Sequence, residues 1–354
     1  MNKNKSFQGL RGLFAILILL SHCSFVPKNS LLGSIVLRLS NVSFFFVLSG
    51  FLLYMTFRDQ TFVSFIKKKF IRLWPLHLLT LFAMVFVKLV THSFDHSLAG
   101  FGTLFLNGFL LQTWYPNVNV ATSFNTVSWF LSSLLFCYIC GFWLIKLVNK
   151  KRRLAWVLIT LSIVVFLTIK IVFAFLFPND NGWGYYFTYL CPLACFPDFL
   201  LGFVVFELSK RIRLRGAALL TCQILSILLI CIMFCTKTLI PQNFSRGFYS
   251  IPFSLFLVFS FAEESKMSTI IFGNKIFVFL GEISFEIYLI HDLLITAFYK
   301  YTPAIELIST KLHPAFSILL VVIASVFAGC IYHFAFNFLK NNIKKRKSIS
   351  SEKL

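Results

Sequence analysis

Charge is scarce in this chain, and negative charge above all. Only 13% of the 354 residues are charged, and Asp and Glu together number 12. A soluble globular protein carries about 25% charged and roughly 45–50% apolar residues, whereas 58% are hydrophobic here. That combination excludes a water-soluble fold, because no soluble core could hide so much apolar surface. Long polar stretches are also missing, and no soluble domain, internal repeat or low-complexity linker is legible. The nine cysteines lack metal or redox spacing. Cys137 and Cys140 form a CxxC pair with no second pair to match it, and most of the nine lie inside apolar runs, where Cys serves as a small filler. His92 and His96 flank Asp95 without the Glu between them that a zincin helix carries, so no metal is expected.

What is present suits lipid. Phe occurs 47 times, and Phe meets no penalty for exposure to acyl chains. Lys and Arg number 33, for a net charge of +21, which raises the question of a nucleic-acid partner. Their placement argues against one. They sit in short clusters between apolar runs, as cytoplasmic loops do, and form no basic stripe on an exposed module. The first apolar run, 13–20, has the length of a signal-peptide core but lacks a small-residue cleavage site. Further apolar spans follow at once, so it is expected as a retained helix.

A spanning helix needs about 20 mostly apolar residues. Spans are expected over 12–25, 41–57, 73–91, 127–147, 154–177, 185–208, 217–235, 248–261, 276–298 and 315–339. Basic clusters at Lys3, Lys5 and Arg11, at Lys67–Lys69 and Arg72, at Lys150–Arg153, at Lys210–Arg215 and after Lys340 then all fall on one side, the cytoplasmic one. Residues 98–113 are apolar but broken by Gly100, Gly102, Asn107 and Gly108, and parity forbids a full crossing there. A re-entrant or interfacial segment is expected, since irregular backbone at membrane depth needs protein or a wet cavity around it. The expected fold is an all-α polytopic transmembrane bundle of about ten spans with both termini cytoplasmic. A membrane domain fills residues 1–340, and a disordered basic tail follows over 341–354.

Charges inside a membrane are costly, so each is a functional candidate. Arg11 and His22 differ by only about 20° around a helix axis and by roughly 16 Å along it. That suits a substrate with an anionic head at the inner surface and a reactive end deeper in, such as a phosphorylated pantetheine arm. Arg matches phosphate through its planar fork, and His can remove an alcohol proton near neutral pH. The structural alternative is an interfacial anchor plus a core histidine. Lys69 and Arg72 share a helix face and suit either nucleotide phosphate or topology alone.

These residues carry a family resemblance. Arg11 and His22, the Phe44–Phe51 run Phe-Phe-Phe-Val-Leu-Ser-Gly-Phe, and the cluster leading into Arg72-Leu-Trp-Pro75 resemble the membrane acyltransferase-3 family. Trp129-Phe-Leu-Ser132 looks like its Trp-x-Leu-Ser segment. Gly281, Ser284, Tyr288, Leu289 and His291 look like its Gly-x-x-Ser-x-x-x-Tyr-Leu-x-His signature. The likeness runs from Phe7 to about Phe338. It implies O-acyl transfer, most often of acetyl, from cytoplasmic acyl-CoA to a hydroxyl of a surface polysaccharide or its lipid-linked precursor, at the bacterial cytoplasmic membrane. By position His22 is the expected catalytic residue, and Arg11, Lys69 and Arg72 the expected holders of the CoA phosphates. No permanently bound cofactor is implied.

Two departures stand out. Lys69 occupies the first place of the family's paired-Arg motif, and Ser133 and Leu134 follow Ser132 where many members have a Glu pair. For orienting His22 or contacting acceptor the candidates are Asp198, Glu282, Glu286, His291 and Asp292, with Ser49, Trp129, Ser132 and Tyr288 from the motifs. The aromatics Trp114, Tyr115, Trp183, Tyr185 and Tyr186 suit an interfacial belt or a sugar ring. The rival functions are a transporter or flippase for a lipid-linked sugar, and a non-catalytic assembly protein.

Overall fold

The structure is a computed structural model that describes residues 4–23, 25–27, 29–296 and 314–351. Its secondary structure among those residues is helical, with no strand. In chain order come α1 (Lys5–Ser21), the short α2 (Leu31–Val36), α3 (Ser43–Thr56), α4 (Phe62–Val90), α5 (Leu98–Gly108) and one-turn α6 (Val118–Ala121). Then follow α7 (Trp129–Lys150), α8 (Arg152–Leu176), α9 (Trp183–Tyr185), α10 (Pro192–Arg211), α11 (Gly216–Thr236) and α12 (Gln242–Phe244). The chain continues through α13 (Ile251–Ser260), α14 (Lys266–Ile271), α15 (Lys275–Glu282) and α16 (Ser284–Ile295) to α17 (Pro314–Ser351).

Among the described residues six helical stretches are long and apolar enough to cross a membrane: Phe62–Val90, Thr126–Lys150, Arg152–Leu176, Trp183–Arg211, Gly216–Leu239 and Ala315–Ile343. The Trp183–Arg211 stretch is the central one, with 72% of its apolar window buried, against 17% for Arg152–Leu176. α8 therefore presents side chains such as Val157, Leu161 and Phe175 outward. In water that face would be unstable; in acyl chains it costs nothing.

Several expected boundaries move for local reasons. α1 starts at Lys5 rather than Gly12, because Asn4 caps it by accepting from the Phe7 N–H at 2.8 Å. It stops at Ser21 rather than Phe25, and the chain then tightens, with the N–H groups of His22 and Cys23 reaching Leu19 and Leu20 at 3.0 Å. α4 has 29 residues, about 43 Å, so Lys67–Lys69 and Arg72 ride on the same helix as the span expected from Leu73, with Lys69 and Arg72 at helical spacing as expected. The expected span 276–298 is two helices meeting at Ile283, and its last two residues lie outside the described ones. The basic tail, expected without structure, continues α17 to Ser351.

Residues 98–113 form the 11-residue α5, about 16 Å long and too short to cross alone, followed by irregular chain. Leu110 and Phe124 take positive φ of 57° and 55°. Side chains fix the segment: Thr113 Oγ1 and Ser132 Oγ lie 2.5 Å apart, Ser132 Oγ donates to Leu110 O at 2.6 Å, and Tyr186 Oη donates to Thr113 O at 2.7 Å. Irregular backbone kept inside protein in this way is the kind membrane depth tolerates.

Three glycine contacts set the framework of the site. A Cβ on Gly50 of α3 would lie 1.9 Å from Phe199 O of α10, and one on Gly202 would lie 2.2 Å from Val47 O. α3 and α10 thus touch backbone to backbone, as small residues allow at membrane helix interfaces. Likewise a Cβ on Gly281 would lie 1.9 Å from Gln8 O, which seats α15 on α1 and carries α16 alongside.

Candidate active site

His22 stands at the C-cap of α1. Its Nδ1 lies 2.8 Å from Ile18 O. A carbonyl oxygen only accepts, so Nδ1 carries a proton, and when the ring is neutral its lone pair is on Nε2. The ring meets His291 of α16 edge to face, centroids 5.1 Å apart. His291 is fully buried, with Nδ1 3.0 Å from Ile287 O. Its Nε2 has no hydrogen-bond partner among the described residues.

A cavity of about 470 Å³ opens at His22 and is lined also by Trp129, Tyr185, Tyr189 and Tyr288. A second cavity of about 350 Å³ gathers Arg11, Lys69, Arg72, Ser49 and Tyr138. Lys69 Nζ sits 3.7 Å from the Tyr138 ring centroid, a cation–π contact that points its ammonium inward. Arg11 Nη1 donates to Gln8 Oε1 at 3.3 Å. Val42 and Tyr288 line both cavities. Tyr288 is held there by donating to Val127 O at 2.9 Å. One wall thus separates a histidine with a free lone pair from a cradle of three cations.

The profile of a family described as "Acyltransferase domain", the acyltransferase-3 family, matches residues 4–334. The chain belongs to that family. It is similar to the acyltransferase MdmB of Streptomyces mycarofaciens, at 26% identity over 309 residues covering 82% of this chain and 78% of that protein. No solved structure matches. The chain is a membrane acyltransferase.

In this acyltransferase the residues expected to hold a donor, Arg11, Lys69 and Arg72, do come together, from α1 and α4. Ser49 joins them from α3. Trp129 and Tyr288 reach the His22 cavity, as does Tyr185 from the aromatic set. Trp114, Tyr115 and Trp183 are exposed instead. Ser132 secures the α5–α7 segment through its hydroxyl, as described above.

The carboxylates proposed to orient His22 are mostly engaged elsewhere. Asp198 pairs with Lys170 at 3.1 Å, with side-chain exposures of 3% and 4%. Glu286 accepts from His333 Nδ1 at 3.0 Å, and Asn337 Nδ2 donates to His333 Nε2 at 2.9 Å. Glu282 is exposed. Asp292 accepts the Thr126 N–H at 2.7 Å, beside the His22 cavity. The Ile18 carbonyl already occupies His22 Nδ1, so no acid orients the ring through that nitrogen. Of the candidates, His291 is the one whose ring contact with His22 is seen directly.

Sequence reasoning missed Lys170, His333, Tyr138 and Tyr189. A lone lysine inside an apolar run was the available signal for Lys170. Nothing in its own segment marks Tyr138, which matters only because α4 brings Lys69 over its ring.

Proposed function

We propose that this acyltransferase moves an acyl group, acetyl in the first instance, from cytoplasmic acyl-CoA to a hydroxyl of a cell-surface polysaccharide or its lipid-linked precursor. The observation that carries the reading is the pair of cavities sharing Val42 and Tyr288, with the three cations in one and His22 in the other. The donor's phosphates lie against Arg11, Lys69 and Arg72, where charge-assisted hydrogen bonds are strong. Its pantetheine arm passes the Tyr288 wall, and the thioester arrives beside His22. The acceptor occupies the larger cavity, whose tyrosines and tryptophan offer faces for a sugar ring.

The chemistry follows from the His22 tautomer. Nε2 takes the acceptor hydroxyl proton as the oxygen attacks the thioester carbonyl carbon. The tetrahedral intermediate collapses, the C–S bond breaks, and the proton on Nε2 passes to the departing sulfur. The products are the ester and free coenzyme A. His22 ends as it began, held on the Ile18 carbonyl. The expected setting is the bacterial cytoplasmic membrane, with about ten spans and both termini cytoplasmic, so that the Arg11 cavity faces the coenzyme A pool.

The test uses membranes holding wild type or His22→Ala at matched protein levels, supplied with radiolabelled acetyl-CoA and host surface glycan. Alkali-labile label from wild type and none from the variant supports the reading. Equal label from both removes His22 from the chemistry, and glycan movement without any label favours a transporter.

A further inference from the structure

Three cations close on the cavity that holds His22. Arg38 follows α2, Lys237 follows α11, and Arg246 lies in the π-helical turn Ser245–Tyr249 before α13; all three line it. They come from separate parts of the chain, so the convergence is tertiary. No Asp or Glu is among the described residues lining this cavity.

Each cation donates to a neutral oxygen. Arg38 Nη1 donates to Cys235 O at 3.2 Å, Lys237 Nζ to Ser40 O at 2.5 Å, and Arg246 Nη1 to Asn181 Oδ1 at 3.1 Å. The Arg246 guanidinium also stacks 4.5 Å over the Tyr185 ring. Carbonyl and amide oxygens satisfy N–H donors without cancelling charge. Arg38 Nε is buried and has no hydrogen-bond partner among the described residues. Like charges gathered in a half-buried space oppose folding, and an arriving anion would relieve them. Sequence position adds an independent point. The positive-inside rule places Lys and Arg at the other ends of the expected spans, whereas these three fall between 25 and 41 and between 235 and 248, on the expected outer side.

We infer that the acceptor bound beside His22 carries a phosphate or diphosphate group, held by Arg38, Lys237 and Arg246. The inference rests on the proposed function and names the acceptor class that reading leaves open. Two guanidinium forks and an ammonium supply more donors than one carboxylate can accept, and they match a polyanion with several oxygens. The group is the diphosphate of a lipid-linked precursor or a phosphodiester within the glycan.

The test is equilibrium binding of radiolabelled inorganic pyrophosphate to the full chain in phosphatidylcholine nanodiscs, with and without saturating coenzyme A. Coenzyme A occupies the Arg11 cavity and leaves the His22 cavity to be read alone. Wild type is expected to bind pyrophosphate in its presence. Lys237→Gln and Arg246→Gln should each weaken that binding by roughly tenfold, with Lys237→Arg retaining it. Unchanged coenzyme A affinity in the variants shows that they are folded. Competition by a polyprenyl diphosphate, with none by the polyprenol, supports a lipid-linked source; competition by a phosphodiester glycan alone supports the glycan. Pyrophosphate binding that is absent from wild type, or unaltered in both Gln variants, overturns the inference. So does displacement by phosphatidylglycerol when neither acceptor type competes, since the site then takes a lipid headgroup. Failure of coenzyme A to bind wild type is a separate result: it removes the donor reading, while pyrophosphate lost in Arg246→Gln still reports the anion site.

Discussion

His22 and His291 face each other with ring centroids 5.1 Å apart, and each holds Nδ1 on the carbonyl four residues earlier in its own helix, Ile18 and Ile287. Both rings thereby keep their Nδ1 proton on a carbonyl, and in the neutral form each has its lone pair on Nε2. His22 opens into the cavity, while His291 is sealed behind it. On the proposed reading His22, which lines the cavity, is the residue that meets substrate, and His291 is a positioning residue behind it.

The two histidines should therefore respond differently. His22→Ala is expected to lower kcat by about 10²–10⁴-fold, the range for loss of a general base. His291→Phe keeps the edge-to-face packing and should retain most of the activity, whereas His291→Ala frees the His22 ring and should cost more. Steady-state kcat and KM on the three variants decide this. Equal loss in His291→Phe and His22→Ala would give His291 a direct chemical role.

The cation cradle predicts a binding effect. Arg72→Gln should raise KM for acetyl-CoA by roughly tenfold, with kcat little changed, because contacts to the phosphates are remote from the reacting carbon. Lys69→Arg replaces a point charge by a fork and is expected to lower KM or leave it unchanged. A fall in kcat at constant KM for Arg72→Gln would contradict the placement of the donor.

The shared wall predicts a blockage. Val42→Trp adds bulk where the two cavities meet and is expected to abolish transfer while leaving coenzyme A affinity intact. Isothermal binding and label transfer on the same preparation test it. Undiminished transfer would mean that the thioester takes another path.

Stability predictions follow from the buried pair and the glycine contact. Asp198→Asn leaves Lys170 buried without a carboxylate and should cost about 3–5 kcal/mol, read as loss of protein level and thermal stability in detergent. Replacing both, Asp198→Leu with Lys170→Met, should recover much of that loss. Gly50→Ala is expected to be destructive, since its Cβ would meet Phe199 O at 1.9 Å, whereas Gly102→Ala has nothing within 4 Å and should be silent.

The helical membrane architecture is legible in the sequence because it depends on local composition. Twenty apolar residues in a row make a span wherever they occur, and the scarcity of charge leaves few other fates for the chain. The Arg11–His22 relation is legible for the same reason, since one helix carries both and 3.6 residues per turn places them on one face. Motif order sufficed for the family.

What the sequence could not decide is which distant residues meet. Four carboxylates were equal candidates to serve His22, and only packing assigns Asp198 to Lys170 and Glu286 to His333. The backbone contact of Gly50 with Phe199, and of Gly281 with Gln8, fixes how α3, α10, α1 and α15 cross. That crossing brings Arg11, Lys69 and Arg72 to one cavity, sets Tyr288 between two, and gathers Arg38, Lys237 and Arg246 around His22. Spans are set by short-range hydropathy, but partners are set by helix crossings over hundreds of residues, which no local pattern encodes.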